Sequence, residues 1–249
     1  MSGDPLERYS RQILVPQIGR AGQERLSAAR VGLVGCGALG CVISTHLVRA
    51  GVGLVRIVDK DCPEIHNLHR QILFTEDHVA RRIPKAEAAA AVLSGANSQV
   101  AVEPVVGVID EKTLPRFAED LDLLVDGTDN FPTRFVMNDY AVRRGMPWVY
   151  GGVIRTSGMS MTILPGDGPC LRCLVRELPR PEHSPNADVA GVLSTTVAVL
   201  ASIEAGEVIK LIVDPDARNK GLVLLDIWDL TLDRIEVPRD PDCPSCGGL

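Results

Sequence analysis

Ten residues near the start of the chain, VGLVGCGALG at 31–40, confine the fold more tightly than any other stretch. A branched apolar run that breaks into glycines at Gly35, Gly37 and Gly40 reads as a buried strand turning sharply into a helix. Glycines at this spacing permit a tight turn, close approach of backbone to phosphate, and close helix packing, and the helix N-terminus favours an anion. Asp59 ends the next branched run, about 20 residues on, where an acid can accept hydrogen bonds from ribose hydroxyls. On these residues alone the ligand is a nucleotide, with NAD still open. Glycines that serve only strand–helix packing would give the same pattern.

The surrounding pattern is that of an α/β chain. ARVGLVG at 29–35, a helix over Leu39–Ala50 and LVRIVDKD at 54–61 make one βαβ unit. A helix is expected over Pro84–Leu93, where Ala88 to Ala91 favour it, and a strand in VAVEPVVG. An acidic amphipathic helix is expected over Glu111–Glu119, and another helix over Thr133–Arg144. LDLLVDGTD at 121–129 and PWVYGGV at 147–153 are continuous enough to be strands of a parallel sheet covered on both faces. Beyond Gly152 come MSMTILPG, a long helix over 189–213, and GLVLLDIWDLTLDRIEV, which alternates as a hairpin does. The expectation is a Rossmann-like mixed sheet, parallel in its first half and antiparallel later, with helices on both faces. It forms one domain: an N-terminal helical arm over 1–29, a nucleotide-binding core over 30–153, and a third part over 154–249.

Charge narrows the ligand. With 26 Lys and Arg against 32 Asp and Glu, the chain lacks the positive field a nucleic-acid binder needs. The near-apolar stretch Val189–Ile203 is interrupted by Ser194, Thr195 and Thr196, and MSGDPLERYSRQ is charged where a signal peptide would be apolar. The chain therefore reads as cytoplasmic, with no membrane span. Proline-rich tracts at 179–185 and 238–244 read as loops.

Asn67, Arg70 and Lys85 then supply one amide and two cations soon after the ribose acid, which suits a triphosphate better than the two phosphates of NAD. In DGTDN, Asp126, Asp129 and Asn130 fall just past the carboxyl end of a buried strand, where a carboxylate can hold Mg²⁺ against phosphate. Singly, Arg70 and Lys85 are equally readable as solvated charges and Asp129 as a helix cap. His46, His66, His69, His78 and His183 fall in no catalytic spacing.

Taken in order, GxGxxG, D-x-D, N-L-x-R-Q, P-K and T-D-N resemble the ThiF/MoeB/HesA adenylyltransferases, relatives of ubiquitin-activating enzymes. The similarity runs from RYSRQ at 8–12 to the terminal CPSC. It implies ATP- and Mg²⁺-dependent adenylation of the C-terminal glycine of a small β-grasp sulfur-carrier protein ending in Gly-Gly. Carried over motif by motif, Gly35, Gly37 and Gly40 form the phosphate-side loop and Asp59 is the ribose acid. Asn67, Arg70 and Lys85 are the triphosphate ligands, and Asp129 is the Mg²⁺-binding catalytic aspartate. Arg11, the second arginine of RYSRQ, reaches the partner subunit's ATP in the family, which implies a homodimer. The 154–249 part then carries the carrier-binding and zinc-bearing functions.

Cys170-x-x-Cys173 and Cys243-x-x-Cys246 are two knuckle-like pairs that fit tetrahedral zinc, here clipping the C-terminal tail to a distant loop. The resemblance implies the same site. Cys36 and Cys41 read as small packed residues, and Cys62 as a thiol near the phosphate-binding segment. One departure stands out. Many relatives carry a cysteine in the loop before A-G-V, whereas SPNADVAGV places Ala187 and Asp188 there, so no covalent sulfur relay can run through that position. RRIPK at 81–85 replaces a shorter glycine-containing link, and Arg81 and Arg82 read as surface charges. Competing readings are a nicotinamide-dependent oxidoreductase, which leaves Arg11, Arg70, Lys85 and Asp129 without a job, a catalytically silent carrier-binding member, and activation of a peptide terminus.

Overall fold

A computed structural model describes residues 4–180 and 187–248, without the side chains of Ala187 and Asp188. The chain runs α1 (Ser10–Ile13), α2 (Gly19–Ala28), β1 (Arg30–Val34), α3 (Ala38–Ala50), β2 (Leu54–Asp59), α4 (Glu76–Ala80), α5 (Lys85–Ala96) and β3 (Ala101–Val106). It continues through α6 (Leu114–Phe117), β4 (Leu123–Asp126), α7 (Phe131–Arg144), β5 (Trp148–Ile154), β6 (Ser157–Ile163) and α8 (Leu171–Leu174). Then follow α9 (Ala187–Ala190), α10 (Ser194–Val213), β7 (Leu222–Asp226) and β8 (Thr231–Ile235). His183 and much of the 179–185 tract lie outside the described residues.

One eight-stranded sheet organises the rest, in the order β3-β2-β1-β4-β5-β6-β7-β8. The first five strands are parallel and the last three join antiparallel, as the change of pattern after Gly152 predicts. Because side chains alternate across a strand, Val31 and Leu33 face one layer and Val34 the other. The first layer holds α2, α3, α5 and α10; the second holds α6, α7, α8 and the knuckle cysteines. Strand β1 lies between β2 and β4, so chain direction around it reverses and a crevice opens at the carboxyl ends of these strands.

Two helices differ from the expectation. The 111–119 segment forms only the single turn of α6, because the Asp110 carboxylate accepts the N–H groups of Lys112 and Thr113 in a local turn that competes with a longer helix. The 189–213 helix is split at Gly191, which sits at φ +78°. There the backbone bonds to Arg155 instead: Arg155 N–H donates to the Gly191 carbonyl at 2.9 Å and Leu193 N–H to the Arg155 carbonyl at 2.9 Å. Helix α10 starts afresh at Ser194.

Helix α10 presents one acid to the sheet. Glu204 is fully buried against Gly151, with no room for a Cβ at that glycine and no hydrogen-bond partner for either carboxyl oxygen among the described residues. Burial, reinforced by nearby Asp126 and opposed by Arg134, pushes its pKa well above the ordinary 4.5. Above pH 4.5 the unfolded chain loses this proton while the folded chain keeps it, so stability falls as pH rises toward the folded pKa. Glu204→Gln removes that loss. Urea midpoints of parent and variant are expected to diverge in the variant's favour between pH 5 and pH 8; a pH-independent difference would refute a protonated Glu204.

Candidate functional site

The turn after β1 is built around contacts that leave no space for side chains. Gly35 sits at φ +89°, and a Cβ there would lie 2.7 Å from the Gly127 carbonyl oxygen. A Cβ on Gly40 would collide with the Gly35 carbonyl, so Gly40 lets α3 begin directly against the loop. A Cβ on Gly37, by contrast, would make only ordinary contacts, with Gln71 Nε2 and the Gly127 carbonyl oxygen each at 3.9 Å. Asp59 fastens the loop from below: Cys36 N–H donates to its Oδ2 at 2.7 Å and Asp61 N–H to its Oδ1 at 2.8 Å. Burial raises the Asp59 pKa, opposed by these two N–H groups and by Lys85.

Above the loop lies a cavity of about 980 Å³, in the crevice between the parallel strands. Gly35, Gly37, Asp59, Arg70, Lys85 and Asp129 all line it. Lys85 opens α5, its N–H bonded to the Asp61 carbonyl at 2.8 Å and its side chain mostly buried. Arg70 is half-buried and donates to the His66 carbonyl at 2.9 Å. Asp129 is exposed at the end of β4, and the cap of α7 is its neighbour Asn130, which accepts Thr133 N–H at 3.0 Å. The cap reading of Asp129 therefore fails on geometry.

Three of the sequence candidates do not line the cavity of their own chain. Gly40 packs beneath the loop. Asn67 is buried in a short 3₁₀ turn, where its Oδ1 accepts Glu64 N–H at 3.1 Å. Arg11 is exposed on the N-terminal arm, which is held by Tyr9 under Gly51 and by the Gln12 amide on the Ala50 carbonyl at 2.9 Å.

Two residues escaped the sequence reading. Gln71, next to Arg70, is 4% exposed, lines the cavity, and has an Oε1 with no partner among the described residues. Its position in N-L-x-R-Q was the available signal. Arg134 is buried on α7 and bonds Asp126 Oδ2 at 2.7 Å, the Thr128 carbonyl at 2.8 Å and the Gly151 carbonyl at 2.8 Å. The rings of Phe131 and Tyr150 lie 5.2 Å from its guanidinium carbon. Only the eight-residue offset from Asp126 hinted at this pair, and nothing in a sequence distinguishes it from a surface arginine.

Away from the loop the cavity runs over the antiparallel strands. The register pairs Gly152 with Met159, Met159 with Leu224, and Leu224 with Asp233, so one apolar ramp crosses four strands to an acid at its far side. Such a floor suits a thin, extended, uncharged segment.

The four knuckle cysteines meet beyond α7, their sulfurs all within 4.8 Å of one another. Cys170 and Cys243 Sγ are 3.6 Å apart and Cys173 and Cys246 Sγ 3.5 Å apart. Tetrahedral thiolates about 2.3 Å from a zinc ion would be about 3.8 Å apart, so the set fits zinc. Burial and neighbouring thiols push Cys246 up to about 11 and Cys170 higher, so ionising these two calls for a cation beside them.

A family model, the ThiF family, matches residues 9–245. This chain belongs to the ThiF family. Among relatives in that group, the SAMP-activating enzyme E1 of Haloferax volcanii is 40% identical over 243 residues, 97% of this chain and 89% of that one. The sulfur carrier protein adenylyltransferase of Thermus thermophilus is 39% identical over 250 residues, 98% and 92% of the two chains. A crystal structure of E. coli MccB with ATP is similar at a TM-score of 0.83, with 26% identity, covering 96% of this chain and 74% of that one. No helix among the described residues is long and apolar enough to cross a membrane.

The Asp126–Arg134 pair yields a direct test of the site's frame. Arg134→Met keeps much of the volume but strands a buried carboxylate, and a loss of about 3–5 kcal/mol in urea unfolding is expected. A loss below about 1 kcal/mol would mean that the pair does not hold the site together.

Proposed function

We infer that the protein is an ATP- and Mg²⁺-dependent adenylyltransferase that activates the C-terminal carboxylate of a small ubiquitin-like, β-grasp sulfur-carrier protein ending in Gly-Gly. The observation that carries this reading is the shape of the cavity. A glycine loop, an acid and two cations stand at one end, and an apolar ramp suited to an extended tail leads in from the other. Relatives named for SAMP activation and sulfur-carrier adenylation support the choice of substrate.

In this reading Gly35 and Gly37 let backbone approach the phosphates, and Asp59 receives the ribose hydroxyls. Arg70 and Lys85, with Gln71 beside them, neutralise and orient the triphosphate. Asp129 would hold Mg²⁺, which when bound spreads the negative charge of the phosphates. A carboxylate oxygen of the tail attacks the α-phosphorus, and pyrophosphate leaves with the electrons of the broken P–O bond. Two anions must be brought together for this, so positioning and charge neutralisation do most of the work. Neither a general base nor the loop thiol missing at Ala187 and Asp188 is required for it. Asn67 supports the Arg70 turn, and Gly40 supports the loop. Arg11, exposed and outside its own cavity, complements the partner's site in a homodimer. The four cysteines hold a structural Zn²⁺.

ATP–pyrophosphate exchange with carriers ending in Gly-Gly tests the reading. The parent is expected to exchange only when the cognate carrier is present, and Asp129→Ala to lose roughly 100-fold or more. ATP binding without carrier-dependent exchange would instead identify a silent member, and undiminished exchange in Asp129→Ala would remove that residue from catalysis. Metal analysis is expected to find about one zinc per chain.

A further inference from the structure

Both cysteine pairs are gripped by one helix, and the same helix begins beside Asp129. Asn138, fully buried on α7, accepts Leu171 N–H on its Oδ1 at 2.9 Å and donates from Nδ2 to Cys170 Sγ at 3.7 Å. Its neighbour Asp139 receives Arg172, Nε on Oδ1 at 2.8 Å and a terminal nitrogen on Oδ2 at 2.7 Å. It also accepts the Ser245 hydroxyl. Arg172 lies between Cys170 and Cys173, and Ser245 between Cys243 and Cys246, so one carboxylate clamps the inside of both knuckles. The Arg172 guanidinium also lies 4.2 Å from the Phe135 ring, one turn earlier on α7.

At its other end, α7 is capped by Asn130 and locked by Arg134 to Asp126, Thr128 and Gly151. These contacts fix the 127–130 loop that carries Asp129. From Phe131 to Asn138 the helix rises only about 10 Å, short enough to move as a rigid rod. A displacement of the knuckles therefore reaches Asp129 without passing through any flexible segment.

We propose that Asn138 and Asp139 are positioning residues through which metal bound by the four cysteines and Mg²⁺-nucleotide bound at the Asp129 loop strengthen one another's binding. The inference rests on the nucleotide reading of the cavity given above. It assigns the cysteine centre a role beyond tying down the tail. Binding linkage is reciprocal, so the coupling can be read from either side.

The test measures Zn²⁺ affinity of the full chain by competition with a chromophoric chelator, with and without saturating Mg²⁺ and a non-hydrolysable ATP analogue. Calorimetry gives the analogue's affinity with and without Zn²⁺. Each ligand is expected to tighten the other at least about 5-fold, by the same factor in both directions. Asp139→Asn is expected to bind both and to lose the coupling. Asn138→Ala is expected to weaken Zn²⁺ by roughly 10- to 100-fold. Tight analogue binding with unchanged Zn²⁺ affinity in the parent overturns the coupling and leaves the adenylyltransferase reading standing. Failure of the analogue to bind overturns both.

Discussion

The carboxylate of Asp126 ends β4 with no access to water, and a charge so placed must be met by another. Arg134 meets it through Nε, while its Nη2 donates to the Thr128 and Gly151 carbonyls. Strand β4, the loop after it, helix α7 and strand β5 are thereby fixed to a single guanidinium. Phe131 and Tyr150 close over it and keep the pair dry. Glu204 packs against Gly151 from α10, and its burial, reinforced by the Asp126 charge, raises its pKa and favours the uncharged form. The 127–130 loop, which brings Asp129 to the cavity, takes its place from this arrangement.

Much of that architecture is legible in the sequence where one force acts alone. Branched runs such as LDLLVDG read as buried strands because a parallel sheet covers both of their faces, whereas GLVLLDIWDLTLDRIEV reads as a hairpin by its alternation, with β7 partly buried and β8 exposed along its length. The split near Gly191 is not legible, because it depends on Arg155, a residue 36 positions away whose backbone competes for the same hydrogen bonds. The short α6 is of the same kind, an Asp side chain outbidding a helix whose acidic pattern looked adequate.

The site divides along similar lines. Gly35, Asp59, Arg70, Lys85 and Asp129 come to one cavity; all but Arg70, which lies in the turn after the short 3₁₀ segment, sit at or beside a strand end or a helix start, where the local pattern fixes their location. Arg134 was hidden because its importance is set by burial, and burial of a cation is visible only once its partner is placed. Cys170 and Cys173 announce half of the four-cysteine cluster by spacing, but the shared grip of Asp139 on both knuckles joins positions more than 100 residues apart in the chain, 139 and 245. No local pattern records that contact.

The wide separation of the two knuckles also bears on how the molecule is made. Cys243 is synthesised about 70 residues after Cys173, at a rate of roughly 5–20 residues per second, so the first pair waits several seconds for the second. During that interval the parallel strands β1 to β5 are already complete and can pair, whereas the cysteine centre is only half assembled. The order of events is built into the chain's connectivity. The four cysteines can come together only after every strand of the 30–153 part has been made.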